Sequence, residues 1–591
     1  MNSKRVVTAV AAGAAVVMGL SACGGTSTGG GSNPGSGGGG STSTPAFNAA
    51  LTSVFNASEK KGGVIKLANA DKWDSVDPGD TYYGYSWNFA RLYGRALVMF
   101  KPGPGKASQE LVPDLAESLG VPSDGGKTWT YKLRKGVKYE DGSAVTSKDV
   151  KYAVLRSTDK EVLPNGPSYL KSNLAFPEGY KGPYKDKGVN VDSAIETPDD
   201  QTIVFHLKKP FGGFDYFAML PQTVPVPEAK DTGKKYKEHV VSTGPYKFDK
   251  NEIDKGFTLV RNDQWDASTD PNRKALPDGY EVSMNVNADD IDNRLIQGDL
   301  HLDVQGTGVQ AASLSRVLGD PALKATADNP STTRLWYTSI NPTVAPLDKK
   351  ACREAVLYAT DRTAYQTAFG GQFSGGDIAT QMIPPSIPGS QKFDLYPAGA
   401  DNKGDVAKAK EKLAECGQPD GFETNIAYRS ERPREKATAE ALQQALGRVG
   451  IKLTLKAYPG GDYFAQFAGN PPYTVANKLG LAQNGWQADW ADGYGFLAEI
   501  VDSRVIRETG GSTNFSVRVP EVDTMLDAAI GETDKAKREA DWGAIDKRVM
   551  EEAVILPGVH GKSLLLRGKG LTNVFVSEAF GQYDYLSLGV Q

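Results

Sequence analysis

The run Asp124-Gly-Gly-Lys-Thr-Trp-Thr-Tyr-Lys-Leu-Arg-Lys-Gly-Val-Lys-Tyr-Glu-Asp-Gly-Ser-Ala-Val-Thr-Ser-Lys-Asp-Val150 holds a strand, a turn and a helix start in one stretch. From Lys127 to Arg134 polar and apolar residues alternate, the period of a strand with one wet face. The segment Gly136–Gly142 closes on Asp141-Gly142, a turn dipeptide. Thr146-Ser-Lys-Asp149 is a capping box, in which the two outer side chains serve each other's backbone N–H groups, and it opens a helix over Val150–Arg156. This mixture excludes an all-helical or all-β chain and sets an α/β or α+β reading.

The rest of the chain continues the pattern. Gly62-Gly-Val-Ile-Lys-Leu-Ala68 reads as a short strand, Asn88–Met99 as a helix and Val112–Ser118 as a short helical turn. Gln201–Leu207 alternates as a strand. Over Glu431–Arg448, Ala439, Leu442 and Leu446 recur at helical spacing; Gly450 ends that helix, and Ile451–Ala457 alternates as a strand. With 591 residues and no internal repeat, the chain has room for two or three lobes.

The N-terminus carries an address. Lys4-Arg5 precedes an uncharged run from Val6 to Leu20, and Leu20-Ser-Ala-Cys23 then has the form of a bacterial lipobox, cleaved before Cys23. That run falls short of the roughly 20 residues that span a bilayer. The reading is a lipoprotein signal peptide over 1–22, lipid on Cys23, and a Gly/Ser/Thr-rich flexible tether over 23–61 with a reach of about 35 Å. Removing Lys4 and Arg5 leaves 65 basic residues against 71 acidic ones, a net charge of −6. With Cys23 taken by lipid, Cys352 and Cys416 remain as a possible disulfide of an exported protein.

Several chemistries drop out. The basic residues are scattered, which leaves no nucleic-acid footprint. His206, His239, His301 and His560 stand at no metal-ligand spacing, so no metal site is expected. Gly561-Lys-Ser563 lacks the earlier glycine of a P-loop, with Leu556 in its place, and reads as the end of a buried strand. Gly25-Thr-Ser-Thr-Gly29 matches a hydrolase elbow but lies in low-complexity tether, where no strand-turn-helix can form.

From Gly62-Gly through Val76-Asp-Pro78, Pro113-Asp-Leu-Ala-Glu-Ser118 and the run quoted above, the chain resembles the family 5 extracellular solute-binding proteins, the oligopeptide- and dipeptide-binding components of ABC importers. Ser242-Thr-Gly-Pro-Tyr-Lys-Phe248, Trp336-Tyr-Thr-Ser-Ile-Asn341 and the helix Leu347–Arg362 extend the resemblance, which covers about Gly62 to Gln591. It implies an α/β, bilobed periplasmic-binding-protein-like fold (type II, cluster C) with an extra domain. Lobe I maps to 62–85, 190–330 and 557–591, the extra domain to 86–189 and lobe II to 331–556. The implied protein is no enzyme and needs no cofactor. It is a lipid-anchored monomer on the extracytoplasmic face of the cell membrane, handing peptides to permease subunits served by a separate ATPase. The alternatives are a same-fold receptor for a metal chelate or oligosaccharide, and an extracellular hydrolase.

The resemblance also implies a site. Gly485-Trp486-Gln487-Ala488-Asp489 matches the family form Gly-Trp-x-x-Asp, whose aspartate meets the peptide's α-amino group. The backbone of Gly485 and Gln487 would bond the extended ligand like an added strand, which gives affinity without reading side chains. Trp486 would be a wall, and Trp490 adds a second indole beside the carboxylate. Tyr82, Tyr83 and Tyr169 are further contact candidates by position. Some tripeptide-binding relatives carry an arginine two residues before the motif's glycine; Gln483 stands here, so a ligand carboxylate would have to be met by another residue.

Overall fold

Three sheets organise the computed structural model, which describes residues 46–591 except 71, 253, 431, 461 and 509. The signal peptide, Cys23 and Gly25–Gly29 lie outside the described residues. The first sheet has five strands in the order Leu302–Asp303, Val64–Ala68, Gly279–Ser283, Gly256–Arg261, Tyr246–Glu252. Val64–Ala68 runs parallel to both of its neighbours, and the remaining pairs are antiparallel. A four-stranded antiparallel sheet follows the order Val121–Ser123, Thr128–Lys132, Thr202–His206, Ile195–Asp199. The third sheet has six strands: Gly376–Ile378, Ile555–Lys562, Ser331–Ile340, Leu479–Gln487, Glu423–Arg429, Lys452–Tyr458.

Local sequence explains most of these elements. Trp129 and Tyr131 are buried while Thr128 and Thr130 are half-buried, the alternation read from the sequence. Asp149 Oδ2 accepts from the Thr146 backbone N–H at 2.7 Å, closing the capping box of the helix Ser147–Arg156. The helix Pro433–Gly447 buries Ala439, Leu442 and Leu446 against its sheet. Gly450 then turns the chain at φ +85°, where a Cβ would meet the Asp420 carbonyl at 2.3 Å. Its left-handed conformation and that close approach both require glycine.

Other expectations fail for tertiary reasons. The helix expected over Asn88–Met99 is instead Gly84–Ala90, followed by the strand Val98–Phe100. Gly94 lies against Val224, and Arg95 is drawn inward to donate from Nε to Asp114 at 3.0 Å. Asp114 also receives both Arg273 Nη groups, at 2.6 and 2.7 Å. The short helical turn expected over Val112–Ser118 is accordingly the strand Leu111–Pro113, paired with Val98–Phe100, and then an irregular segment that presents Asp114.

Boundaries shift as well. Residues 46–61, assigned to the tether by composition, pack on the fold: Ala50 is buried, and Phe55 exchanges backbone hydrogen bonds with Val574 at 2.8 and 3.0 Å. Ile195–Asp199 and Thr202–His206 join the four-stranded sheet, carrying that unit past residue 189, and Ile555–Lys562 takes the six-stranded sheet past residue 556. No helix among the described residues is long and apolar enough to cross a membrane.

The apolar residues form two large clusters. One joins the first and second sheets through Trp73, Phe89, Tyr131, Phe205, Phe214 and Phe257. The other surrounds the six-stranded sheet and includes Tyr337, Ile426, Leu446 and Trp542. In the second cluster Cys352, on the helix Lys350–Ala359, is bonded to Cys416, which caps the helix Val406–Glu415. The bridge spans 64 residues of sequence, a long loop to constrain in the unfolded chain. Replacing both cysteines by alanine should cost about 2–5 kcal/mol, read as a lower urea midpoint. An unchanged midpoint would show that this bridge does not constrain the unfolded state.

Candidate functional site

The site grows out of one strand pair. Leu479–Gln487 runs antiparallel to Ser331–Ile340, with Trp336 opposite Gly485, Leu335 opposite Trp486 and Arg334 opposite Gln487. Residues opposite one another share a face, so Gly485, Gln487, Arg334 and Trp336 lie together on one side. Leu335 and Trp486 take the other side, where Trp486 packs on the second apolar cluster. A Cβ on Gly485 would come within 2.2 Å of the Trp336 ring, so the glycine is what lets that indole cross the strand. Trp336 in turn packs on Phe369 at 4.7 Å and lies under the Arg334 guanidinium at 5.0 Å.

Past the strand end, Ala488 N–H donates to Thr333 O at 3.0 Å and Asp489 N–H to Gly495 O at 3.0 Å. Asp492 caps the helix Gly493–Val501 by accepting from Tyr494 N–H at 2.9 Å. Asp489 is therefore fixed in a short link between a strand end and a helix start. Trp490, next to it, is 1% exposed and packs among Tyr169, Tyr216 and Phe217, at 4.8, 6.2 and 5.6 Å.

Phenols, not indoles, meet the carboxylate. Tyr82 donates to Asp489 Oδ2 at 3.0 Å, and Tyr169 donates to the same oxygen. Among the described residues no hydrogen bond reaches Asp489 Oδ1. Burial pushes the Asp489 carboxyl up to about 7, the two phenol hydrogen bonds pull it partly back, and Glu499 adds repulsion. Burial and then the charge of Asp489 raise both tyrosines well above their usual range, so both remain protonated donors.

Each phenol has its own support. Asp74 accepts from Tyr82 N–H at 2.7 Å and from the Thr81 hydroxyl at 2.8 Å, and the Tyr82 ring stacks on Trp87 at 5.8 Å. Tyr169 opens the short helix Tyr169–Asn173 and stacks on Phe217 at 5.6 Å. Tyr83 follows Tyr82 in the chain and is half exposed. It lines a polar cavity of about 420 Å³ with Lys72, Asp74, Asn165 and Lys237.

The expected site residues thus divide. The structure brings Asp489, Tyr82 and Tyr169 together, with Gly485 and Gln487 on the adjoining strand end. Gln487 Oε1 accepts from Arg334 Nη2 at 2.7 Å, and its Nε2 would lie 3.7 Å from a Cβ on Gly84, the first residue of the helix after Tyr83. Gln483 is 1% exposed and faces Tyr365, whose hydroxyl donates to its Oε1 at 3.3 Å, so it is interior. Sequence reasoning missed Asp74, Arg334 and Glu499. Of these, Arg334 stands two residues before Trp336, a spacing that shares a face only once the strand Ser331–Ile340 is known.

No group of three or more His, Cys, Asp or Glu among the described residues could hold a metal. His560 Nε2 lies 3.0 Å from Gln381 O in the interior, and Lys562 of the rejected Gly-Lys-Ser run donates to Asp377 at 2.8 Å from within a strand.

Two sheet-centred bodies with a half-buried carboxylate reached from distant parts of the chain define a bilobed α/β binding protein. The chain belongs to the bacterial extracellular solute-binding proteins, family 5, whose middle region it matches over residues 110–506. It is similar to the solved structure of a clavulanic acid biosynthesis oligopeptide binding protein 2, at 41% identity and a TM-score of 0.89 over 92% of this chain and 98% of that one. It shares the fold of DppA from Helicobacter pylori in complex with the peptide STSA, at 22% identity and a TM-score of 0.66, covering 90% of this chain and 99% of that one. The glutathione-binding protein GsiB of Shigella boydii is 28% identical over 529 residues, 87% of this chain and 92% of that protein.

Because the Trp336 ring occupies the space above Gly485, Gly485→Ala should displace the ring or the strand. The expected cost is about 1–3 kcal/mol in urea denaturation. A variant as stable as the parent would show that the indole is free to move.

Proposed function

We propose that this chain is a lipid-anchored extracytoplasmic receptor that binds oligopeptides between two lobes and delivers them to an ABC permease. The observation that carries the reading is Asp489: both phenols converge on Oδ2, and Oδ1 receives no hydrogen bond among the described residues. A half-buried carboxylate with one open oxygen suits a peptide's α-ammonium group, and the end of the Leu479–Gln487 strand supplies main chain for an extended ligand. The relatives' ligands, an oligopeptide at 41% identity and glutathione at 28%, support a peptidic ligand.

In this reading lobe I comprises 62–85, 190–330 and 557–591, the extra domain 86–189 and lobe II 331–556, with the strand exchanges already described at the boundaries. Tyr82 and Tyr169 come from the first two of these units and Asp489 from the third. Closure around the ligand is then a hinge motion that brings phenols and carboxylate together. Cys23 carries the lipid, the receptor acts as a monomer without cofactor or catalysis, and a separate ATPase subunit powers import.

The raised pKa of Asp489 makes binding pH-dependent. Its folded pKa of about 7 lies above the usual 3.8, so the neutral carboxyl is the stable form in the ligand-free protein below about pH 7. The stability it contributes is full below the unfolded pKa and is lost as pH rises through about 7. A bound ammonium reverses this by favouring the carboxylate. Peptide affinity should therefore rise from pH 5 to pH 7.5 in titration calorimetry, and Asp489→Asn should flatten the profile. Asp489→Ala should lose about 1.5–3 kcal/mol of binding, and N-acetylated peptides should lose as much on the unaltered protein. Equal binding of free and acetylated di-, tri- and tetra-alanine would remove the amine anchor while leaving the receptor reading standing.

A further inference from the structure

Arg334 carries a half-buried guanidinium. Among the described residues no carboxylate lies within ion-pair distance, and its one side-chain hydrogen bond goes from Nη2 to Gln487 Oε1 at 2.7 Å. The other charges that act on it among the described residues are cationic: burial first, then Arg432 and Arg429, lower its pKa to about 10. Among the described residues the acid in that basic group is committed elsewhere, since Glu435 accepts from Arg429 Nε at 2.9 Å and from Arg429 N–H at 3.0 Å, and lies 3.6 Å from Arg432. Trp336 stands 5.0 Å beneath the guanidinium, a face that steadies a cation without neutralising it. A cation drawn out of water and left unpaired costs free energy that a bound anion recovers.

Its position is as telling as the absence of an acid among the described residues around it. Arg334 lies opposite Gln487 on the neighbouring strand, and Gln487 in turn reaches Gly84 across from it. Gln487 is two residues from Asp489, about 7 Å of extended chain. Gln483, where a positive charge could have stood on the same strand, is buried and neutral. The cation is supplied instead by the adjoining strand, four positions further along the register, where Thr338 faces Gln483 and Arg334 faces Gln487.

We propose that Arg334, oriented by Gln487, is the seat of the ligand's carboxylate, so that the solute is a short zwitterion of about two to four residues clamped at both ends. The inference rests on the amine-anchored peptide reading and adds the second anchor and a limit on length. The guanidinium offers paired N–H donors to both oxygens of a carboxylate, a geometry that lysine does not reproduce.

The test uses the full chain, a defined pool of synthetic di- to hexapeptides, and the same pool with C-terminal amides, with retained peptides identified by mass spectrometry. The parent protein should retain free acids of two to four residues at least tenfold over their amides. Arg334→Gln should lose that preference, Arg334→Lys should recover only part of it, and both should still reject N-acetylated peptides. Ligand-free Arg334→Gln should melt no lower than the parent, because no ion pair is lost; a structural arginine would lower the melting temperature. The proposal is overturned if amidation leaves retention unchanged in the parent, if Arg334→Gln weakens acids and amides alike, or if hexapeptides are retained as well as tripeptides. If N-acetylation is also without effect, the amine-anchored reading falls with it; if N-acetylation still abolishes retention, only the carboxylate seat is lost.

Discussion

Two phenols, Tyr82 and Tyr169, donate to one carboxylate oxygen of Asp489 across 407 and 320 residues of sequence. The arrangement requires the Tyr82 loop, the short helix beginning at Tyr169 and the end of the Leu479–Gln487 strand to converge within hydrogen-bond distance. Each is held by its own local device: Asp74 beneath Tyr82, Phe217 against Tyr169, and the Gly495 carbonyl on the Asp489 N–H. One oxygen takes both phenols while the other accepts no hydrogen bond among the described residues, and the pKa of about 7 follows from taking the carboxylate out of water without giving it a cation among them.

Buried ion clusters hold the convergent segments in register. Arg156 donates to both Asp77 oxygens at 2.9 and 2.8 Å and to Asp231 at 3.1 Å, which ties the loop before Tyr82 to the capped helix Ser147–Arg156. Arg95, Arg273, Asp114 and Asp270 do the same between the Val98–Phe100 hairpin and the segment after the Gly256–Arg261 strand. Such pairs add little net stability over apolar packing, because desolvation offsets much of the attraction. Their chemistry tolerates few alternative partners, however, and that suits a fold whose units are built from discontinuous chain segments. Arg334 differs from these arginines in having no acid within ion-pair distance among the described residues, its one side-chain hydrogen bond going to Gln487.

Elements specified by nearby residues were legible. The alternation of Thr128–Lys132, the Thr146–Asp149 capping box, and the Pro433–Gly447 helix with Gly450 behind it all follow from contacts a few residues apart. Elements specified by distant partners were not. Asn88–Met99 has a helical appearance, yet Gly94 and Arg95 answer to Val224 and Asp114, so the chain turns and enters a strand. Low apolar content suggested a tether up to residue 61, but Phe55 pairs with Val574, a partner that composition cannot reveal. At the site, the motif marked Asp489 and position marked Tyr82 and Tyr169, while Trp486 packs on the second apolar cluster, Trp490 on Tyr169, and Tyr83 lines a polar cavity that Asp74 shares.

By itself the sequence determined the family, the mixed α/β architecture, and the Gly-Trp-x-x-Asp motif from Gly485 to Asp489, because these are written in ordered local patterns. Tertiary structure alone decided what surrounds that aspartate. The partners of a buried charge are chosen by three-dimensional proximity, and a hydrogen bond acts over about 3 Å whatever the separation along the chain. Which phenols reach Asp489, which glutamine is interior, and which arginine meets a glutamine where others meet acids are properties of convergence, and no spacing in the sequence encodes them.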